Sequence, residues 1–168
     1  MKITLSDELP EDAAAIELLL QQAFQEAPHS NQSEHLIVRQ LRASGDLSFA
    51  LVARLADAVV GYAAVSPVTV ADAAGWYGVG PVAVSPAHQN RGIGSRLMHN
   101  TLMRLRDMGA GGCVVVGEPE FYRRFGFREL PGLHFPGVAP EYFLAVSFAG
   151  ATPRGEVSYS EAFSQLEV

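Results

Sequence analysis

Gln89-Asn90-Arg91-Gly92-Ile93-Gly94-Ser95 separates an apolar run, Pro81-Val82-Ala83-Val84, from a stretch of helical periodicity. A strand that turns through glycines into a helix leaves backbone N–H groups unpaired and pointing one way. Those donors and the positive end of the helix dipole suit a phosphate. Glycine lets backbone approach such a ligand without an intervening side chain. The same turn also serves purely structural ends, so its neighbours must decide. A P-loop needs a Gly-Lys pair, which is absent. A dinucleotide fingerprint needs a third glycine where Leu97 stands.

The second stretch with chemical content is Phe121-Tyr122-Arg123-Arg124-Phe125-Gly126-Phe127, where a tyrosine precedes Gly-Phe by four residues. A phenol placed there can hydrogen-bond or protonate a departing anion, or it can simply pack its ring. Glu118 precedes Pro119 at a helix start, where an acid is favoured electrostatically; it is also a candidate base acting through water. Arg91 and Arg96 flank the glycine turn and could fork onto pyrophosphate oxygens, or be solvated surface arginines. Arg123 is a further candidate for a phosphate. His29, His35 and His134 could titrate usefully, whereas His88 and His99 read as surface residues. Cys113, in Cys113-Val114-Val115-Val116, reads as a small core residue, and no cluster has metal-ligand spacing.

Taken together, Gln89, Gly92 and Gly94 after a Val-x-Val strand, then Tyr122, Gly126 and Phe127, resemble the GNAT family of acetyl-CoA-dependent N-acetyltransferases. Gly80-Pro81-Val82-Ala83-Val84, Val116-Gly117-Glu118-Pro119 and the late Gly155-Glu156-Val157-Ser158-Tyr159 with Ala162-Phe163 extend the likeness to its YhbS-like branch. The resemblance implies an α/β fold in one domain over residues 1–168, with a mixed, mostly antiparallel sheet. A splayed parallel strand pair and flanking helices belong to it. It implies acetyl-CoA as co-substrate, without a metal, and an amine acceptor. The backbone of Val82, Ala83 and Val84 would pair with pantetheine, and the Val84 N–H would face the thioester oxygen. The turn from Gln89 through Asn90, Arg91, Gly92, Ile93, Gly94 and Ser95 to Arg96 would hold pyrophosphate. Phe121 would wall the pantetheine tunnel or belong to the core. Tyr122 would assist departure of the thiolate, and Glu118 would be the candidate base. A homodimer is a further implication. Two rivals stand beside this reading: a non-catalytic acyl-CoA-binding module, and an interaction protein that reuses the fold.

Composition narrows the partners. The 168 residues suffice for one core, and a net charge of −6 argues against nucleic-acid binding. One cysteine fits a reducing, cytoplasmic setting. No apolar run reaches the ~18 residues of a membrane span, and Met1-Lys2-Ile3-Thr4 lacks a signal-peptide core. Charge is uneven: residues 1–36 hold seven acids against Lys2, while residues 91–128 hold seven arginines against three acids. An acidic half and a basic half suit a cationic acceptor meeting an anionic cofactor, or are solvated helix faces.

The positioning elements follow from periodicity and breakers. A short strand is expected over 2–5, then a helix opened by Pro10 with Ile16, Leu19, Leu20, Ala23 and Phe24 inward. Pro28-His29-Ser30 breaks it. The Asn31-x-x-Glu34 spacing predicts a capping box and a second helix from near Asn31 to Gly45. Strands are expected over 49–55, 59–70 and 76–84, with turns at Ala56-Asp57 and at Asp72-Ala73-Ala74-Gly75. A helix should run from the glycine turn to Met108, then a buried parallel strand over 112–116, then a short helix from Pro119 to Arg124. Past an irregular loop, 143–148 and 155–159 are expected to form a hairpin around Gly150-Ala151-Thr152-Pro153.

Overall fold

The computed structural model describes residues 2–27 and 30–164. The chain runs β1 (Ile3–Asp7), α1 (Ala13–Phe24), α2 (Glu34–Ser44), β2 (Phe49–Leu55), β3 (Ala58–Val70), β4 (Ala73–Val84), α3 (Ile93–Asp107) and β5 (Gly112–Val116). It ends with α4 (Pro119–Tyr122), β6 (Leu133–His134), β7 (Phe143–Ser147), β8 (Gly155–Ser158) and α5 (Glu161–Ser164). Strand order is β1-β2-β3-β4-β5-β7. All neighbours on this path are antiparallel except β4 and β5. This is the α/β fold expected, with a mixed sheet, a parallel pair that parts, and helices on both faces.

Side-chain alternation assigns the faces. One face of the sheet packs Val65, Val79, Cys113 and Val115 against Ile93, Leu97, Met98, Leu102 and Leu105 of α3. The other packs Val52, Tyr62, Ala64 and Ala83 against Ile16, Leu19 and Leu20 of α1 and Val38 of α2. Further along that second face, Val68, Val70, Trp76 and Val114 meet Phe143, Leu133 and Val157. Cys113 is buried in the α3-side core, and burial pushes its thiol well up, as fits a packing residue.

Four expectations need correction. The second helix starts at Glu34, not near Asn31. Asn31 Oδ1 accepts the Ser33 N–H at 3.1 Å, a local Asx turn in place of a capping box. The β3–β4 turn is the two-residue Ala71-Asp72, both at positive φ (49° and 68°), so β4 begins at Ala73 rather than Trp76. The final strands form no hairpin: β7 pairs with β5, and β8 pairs with the end of β3 and with β6. The N-terminal acids are largely structural. Asp12 takes a bidentate grip from Arg54 (2.9 and 2.5 Å) and accepts the Leu9 N–H (2.8 Å), pinning the entry of α1 to β2. Glu8 pairs with Arg42, Glu17 with Arg39, and Asp7 with Arg104. Four of the seven acids are thus neutralised by arginines, which removes most of the steering field expected of them.

Candidate active site

The parallel ladder between β4 and β5 has three rungs, Trp76↔Gly112, Tyr77↔Cys113 and Gly78↔Val114. Beyond Gly78 the strands part: β5 continues along β7, and β4 stays with β3 through Gly61↔Val84. Ser85 donates its N–H to Val60 O at 2.8 Å, which makes that rung a hydrogen-bonded pair. Alternation along an antiparallel ladder then turns the N–H and C=O of Val84 and Val82 away from β3, toward the parting. The Val84 carbonyl is taken by Gln89 Nε2 at 3.1 Å, which ties the start of the glycine turn to the strand end. Ala83 turns its side chain to the opposite face, toward α1.

The turn itself has the backbone that its glycine implies. Asn90 (φ 64°) and Gly92 (φ 83°) are left-handed, and Gly92 caps α3. The first helical bond is Arg96 N to Gly92 O at 3.1 Å, so the helix supplies no acceptor for the N–H groups of Ile93, Gly94 and Ser95. A Cβ on Gly92 would meet no protein atom within 4 Å, so its glycine is required by φ alone. Gly94 differs: a Cβ there would stand 3.3 Å from Phe121 Cζ and 3.7 Å from Val84 Cγ2. Gly94 therefore lets the first turn of α3 close onto β4 and α4. Ile93 is buried in the main core and anchors the helix start. Arg91 is exposed beside the turn. Arg96 points elsewhere, donating Nη1 to Ile3 O of β1 at 2.9 Å.

Tyr122 stands on the β5 side. Its ring lies against Gly117, where a Cβ would overlap it, and it meets Phe121 and Phe127 edge-on at 4.9 and 5.7 Å. Burial pushes its phenol up to about 12, and no protein group among the described residues hydrogen-bonds the hydroxyl. Glu118 caps α4 through its backbone, its carbonyl accepting the N–H groups of Phe121 and Tyr122, while its side chain is exposed. Arg124 covers the Phe121 ring at 4.8 Å, and Arg123 is exposed. His35 contacts Gln21 on the outer side of α1, His134 is exposed on β6, and His29 lies outside the described residues. Among the described residues no helix is long and apolar enough to cross a membrane, and no three His, Cys, Asp or Glu cluster as metal ligands.

Sequence reasoning gave no role to two hydroxyls near the parting, those of Ser66 and Tyr159. Tyr159 had a signal, its place in the late Gly-Glu-Val-Ser-Tyr stretch; Ser66 had none. It also missed Tyr62, whose hydroxyl donates to Glu8 Oε1 at 2.8 Å beneath α2.

A strand that parts from its parallel neighbour beside a glycine-capped helix, with a tyrosine across the opening, defines an acyltransferase class of site. Residues 46–129 match the family model described as an acetyltransferase (GNAT) domain. The chain is 36% identical over 123 residues to the uncharacterized N-acetyltransferase YhbS of Escherichia coli strain K12, covering 72% of this chain and 71% of that protein. Two solved structures share the fold along nearly the whole chain. A GNAT family acetyltransferase from Brucella melitensis, in complex with acetyl-CoA, is 42% identical with a TM-score of 0.86, over 96% of this chain and 98% of its own. Escherichia coli YhbS, in complex with CoA, is 30% identical with a TM-score of 0.91, over 100% of this chain and 95% of its own. The chain belongs to the GNAT family of N-acetyltransferases.

Proposed function

We propose that the chain transfers the acetyl group of acetyl-CoA to a primary amine by direct attack, within the parting of β4 and β5. The observation that carries this is the end of the parallel ladder at Gly78↔Val114, with the polar backbone of Val82 and Val84 turned into the gap. The two similar structures bind acetyl-CoA and CoA, and this chain has the donors such a ligand needs.

Acetyl-CoA brings an activated thioester carbonyl; the protein's residues do the rest. The N–H groups of Ile93, Gly94 and Ser95 and the positive end of α3 hold the pyrophosphate, with Arg91 beside them. Arg96 serves instead as a tether between α3 and β1. Val82 and Val84 offer their outward backbone groups to pantetheine. The Val84 N–H, fixed by the strand, meets the negative charge that develops on the carbonyl oxygen.

The balance of the step sets the remaining tasks. The amine nitrogen bonds to the carbonyl carbon, the C–S bond breaks, and sulfur leaves with the electron pair. One proton leaves the amine and one joins the thiolate, giving an amide and a free thiol. A lysine-like amine is protonated at pH 7, and freeing it costs roughly 4–5 kcal/mol. Desolvation within the gap contributes to this, and Glu118 relays the proton through water. Tyr122 hydrogen-bonds the departing sulfur. With its phenol at about 12, donating outright to a thiolate of pKa near 8.5 is uphill by about 5 kcal/mol. The proton therefore arrives after the charge has been stabilised.

Thiol release from acetyl-CoA in the presence of a primary-amine panel tests the reading. Amine-dependent release supports it. Tight binding without release for any amine makes the chain a binding module, and no binding leaves an interaction protein.

A further inference from the structure

Val116, the last residue of β5, is 44% exposed, whereas Gly112 to Val115 before it are all buried. Of the five large apolar side chains exposed among the described residues, Val116 is the one carried by a strand. The break in burial follows the break in pairing, since the last β4–β5 rung is Gly78↔Val114, two residues earlier.

Alternation fixes where Val116 looks. Cys113 and Val115 pack toward α3 and Val114 packs on the opposite face, so Val116 also looks away from α3. Phe143, its partner on β7, shares that face and is buried. The height of Val116 along the gap follows from the registers. Val82 lies three β3 residues past Gly78, from Ser66 to Ala63, and Val116 lies two residues past Val114. The two stand on opposite lips of the gap within about one strand step, roughly 3 Å, of each other's level. Val116 is therefore beside the backbone that faces the reacting group, on the side away from α3 and its phosphate donors.

The loop between β6 and β7 extends this apolar surface. No side chain from Phe135 to Pro140 is polar or charged, yet Pro136, Gly137, Ala139 and Pro140 are exposed. At one end of the loop the Phe135 ring lies 5.3 Å from that of Phe143. Near the other end Tyr142 O accepts the N–H of Gly117 at 3.0 Å, which ties the loop to the residue after Val116. Single apolar residues on a surface are ordinary, but a connected set of them beside a reaction centre marks a binding surface.

We propose that Val116 and the Phe135–Pro140 loop form an apolar floor for the acceptor, which makes the substrate class a primary amine carried on an aliphatic or aromatic stem. The inference rests on the acetyl-transfer reading above. Such a floor offers the stem no hydrogen bonds and selects by the apolar area it removes from water, so a short polar amine gains little from it. A stem laid on the floor also draws its amine out of water beside the thioester, and desolvation favours the uncharged form that attacks.

The test uses the full chain with acetyl-CoA and three primary amines, hexylamine, phenethylamine and ethanolamine, followed by thiol release. In the parent, kcat/KM for the two apolar amines should exceed that for ethanolamine about tenfold or more. Val116→Thr keeps the branched shape and exchanges a methyl for a hydroxyl, and it should shrink this preference roughly threefold. Val116→Asp should remove the preference altogether. Calorimetric affinity for acetyl-CoA should stay within about twofold in both variants. Val116→Thr should melt with the parent, because the side chain it alters is already exposed. A parent without the preference overturns the proposal, as does a preference that survives both substitutions. A loss spread equally over the three amines, with a lower melting temperature, marks a packing role and overturns it too. Release with ethanolamine alone overturns the apolar floor and leaves acetyl transfer standing, and release with none of the three amines overturns the floor. A parent that fails even to bind acetyl-CoA overturns the acetyl-transfer reading itself, a result separate from the others.

Discussion

Gly78 and Val114 form the last rung between β4 and β5, and the site is built around what stops there. Past that rung the N–H of Val84 points to a gap instead of a strand. One interruption of pairing thus leaves a fixed backbone donor facing the gap between the two strands.

Gly92 and Gly94 should behave differently when substituted. At Gly92 a side chain meets no protein atom, so Gly92→Ala costs only the left-handed backbone, about 1 kcal/mol. Acetyl-CoA affinity should nonetheless fall roughly tenfold, because the turn would have to relax away from its ligand-holding shape. Gly94→Val drives into Phe121 and should lose affinity and melting temperature together. Calorimetry with unchanged affinity in a folded Gly92→Ala variant would remove the turn from the site.

Tyr122→Phe should lower kcat by roughly 10²-fold and leave acetyl-CoA affinity nearly intact, since the hydroxyl acts on charge that develops during the reaction. Its phenol, at about 12, stays protonated across the working range. The pH profile of kcat/KM should therefore rise from about 6 to 9 as the amine or its base loses a proton, with no falling limb near 10. A limb there that disappears in Tyr122→Phe would mean the phenol titrates at its ordinary value.

Asp12 predicts the acid limit of the fold. The Arg54 hydrogen bonds hold its carboxyl below the ordinary 3.8. A depressed acid contributes stability above its unfolded pKa and loses it as pH falls through the folded one. Stability should decline below about pH 4 in the parent. Asp12→Asn should cost about 3 kcal/mol at pH 7, leaving Arg54 without its partner, and should flatten the decline. Urea unfolding at pH 7 and pH 3 checks both; an equal acid slope in parent and variant would relieve Asp12 of this role.

Much of the frame was legible because it is local. The runs 49–55 and 112–116 are β-rich and bounded by turn residues, and they form strands with those bounds. The glycine turn and Gly45, Gly109 and Gly126 stop or start helices where expected, all at positive φ. What escaped depends on distant partners. Arg96 looked like a phosphate ligand beside its glycines, but the Ile3 carbonyl it bonds is 93 residues away. The acids of 1–36 looked like a free field, but Asp7 and Asp12 are paired with arginines 97 and 42 residues on. The turn at Ala71-Asp72 escaped because Gly75 is the residue that favours positive φ by type. Ser66 and Tyr159 had no local pattern linking them, since only the fold brings them to Gly78.

A crystal structure of the chain with acetyl-CoA tests the central claim most directly. The pyrophosphate should lie on the N–H groups of Ile93, Gly94 and Ser95, the thioester oxygen on the Val84 N–H, and the sulfur within hydrogen-bond reach of the Tyr122 hydroxyl. A ligand whose thioester lies outside the parting of β4 and β5, away from Val84 and Tyr122, would contradict it.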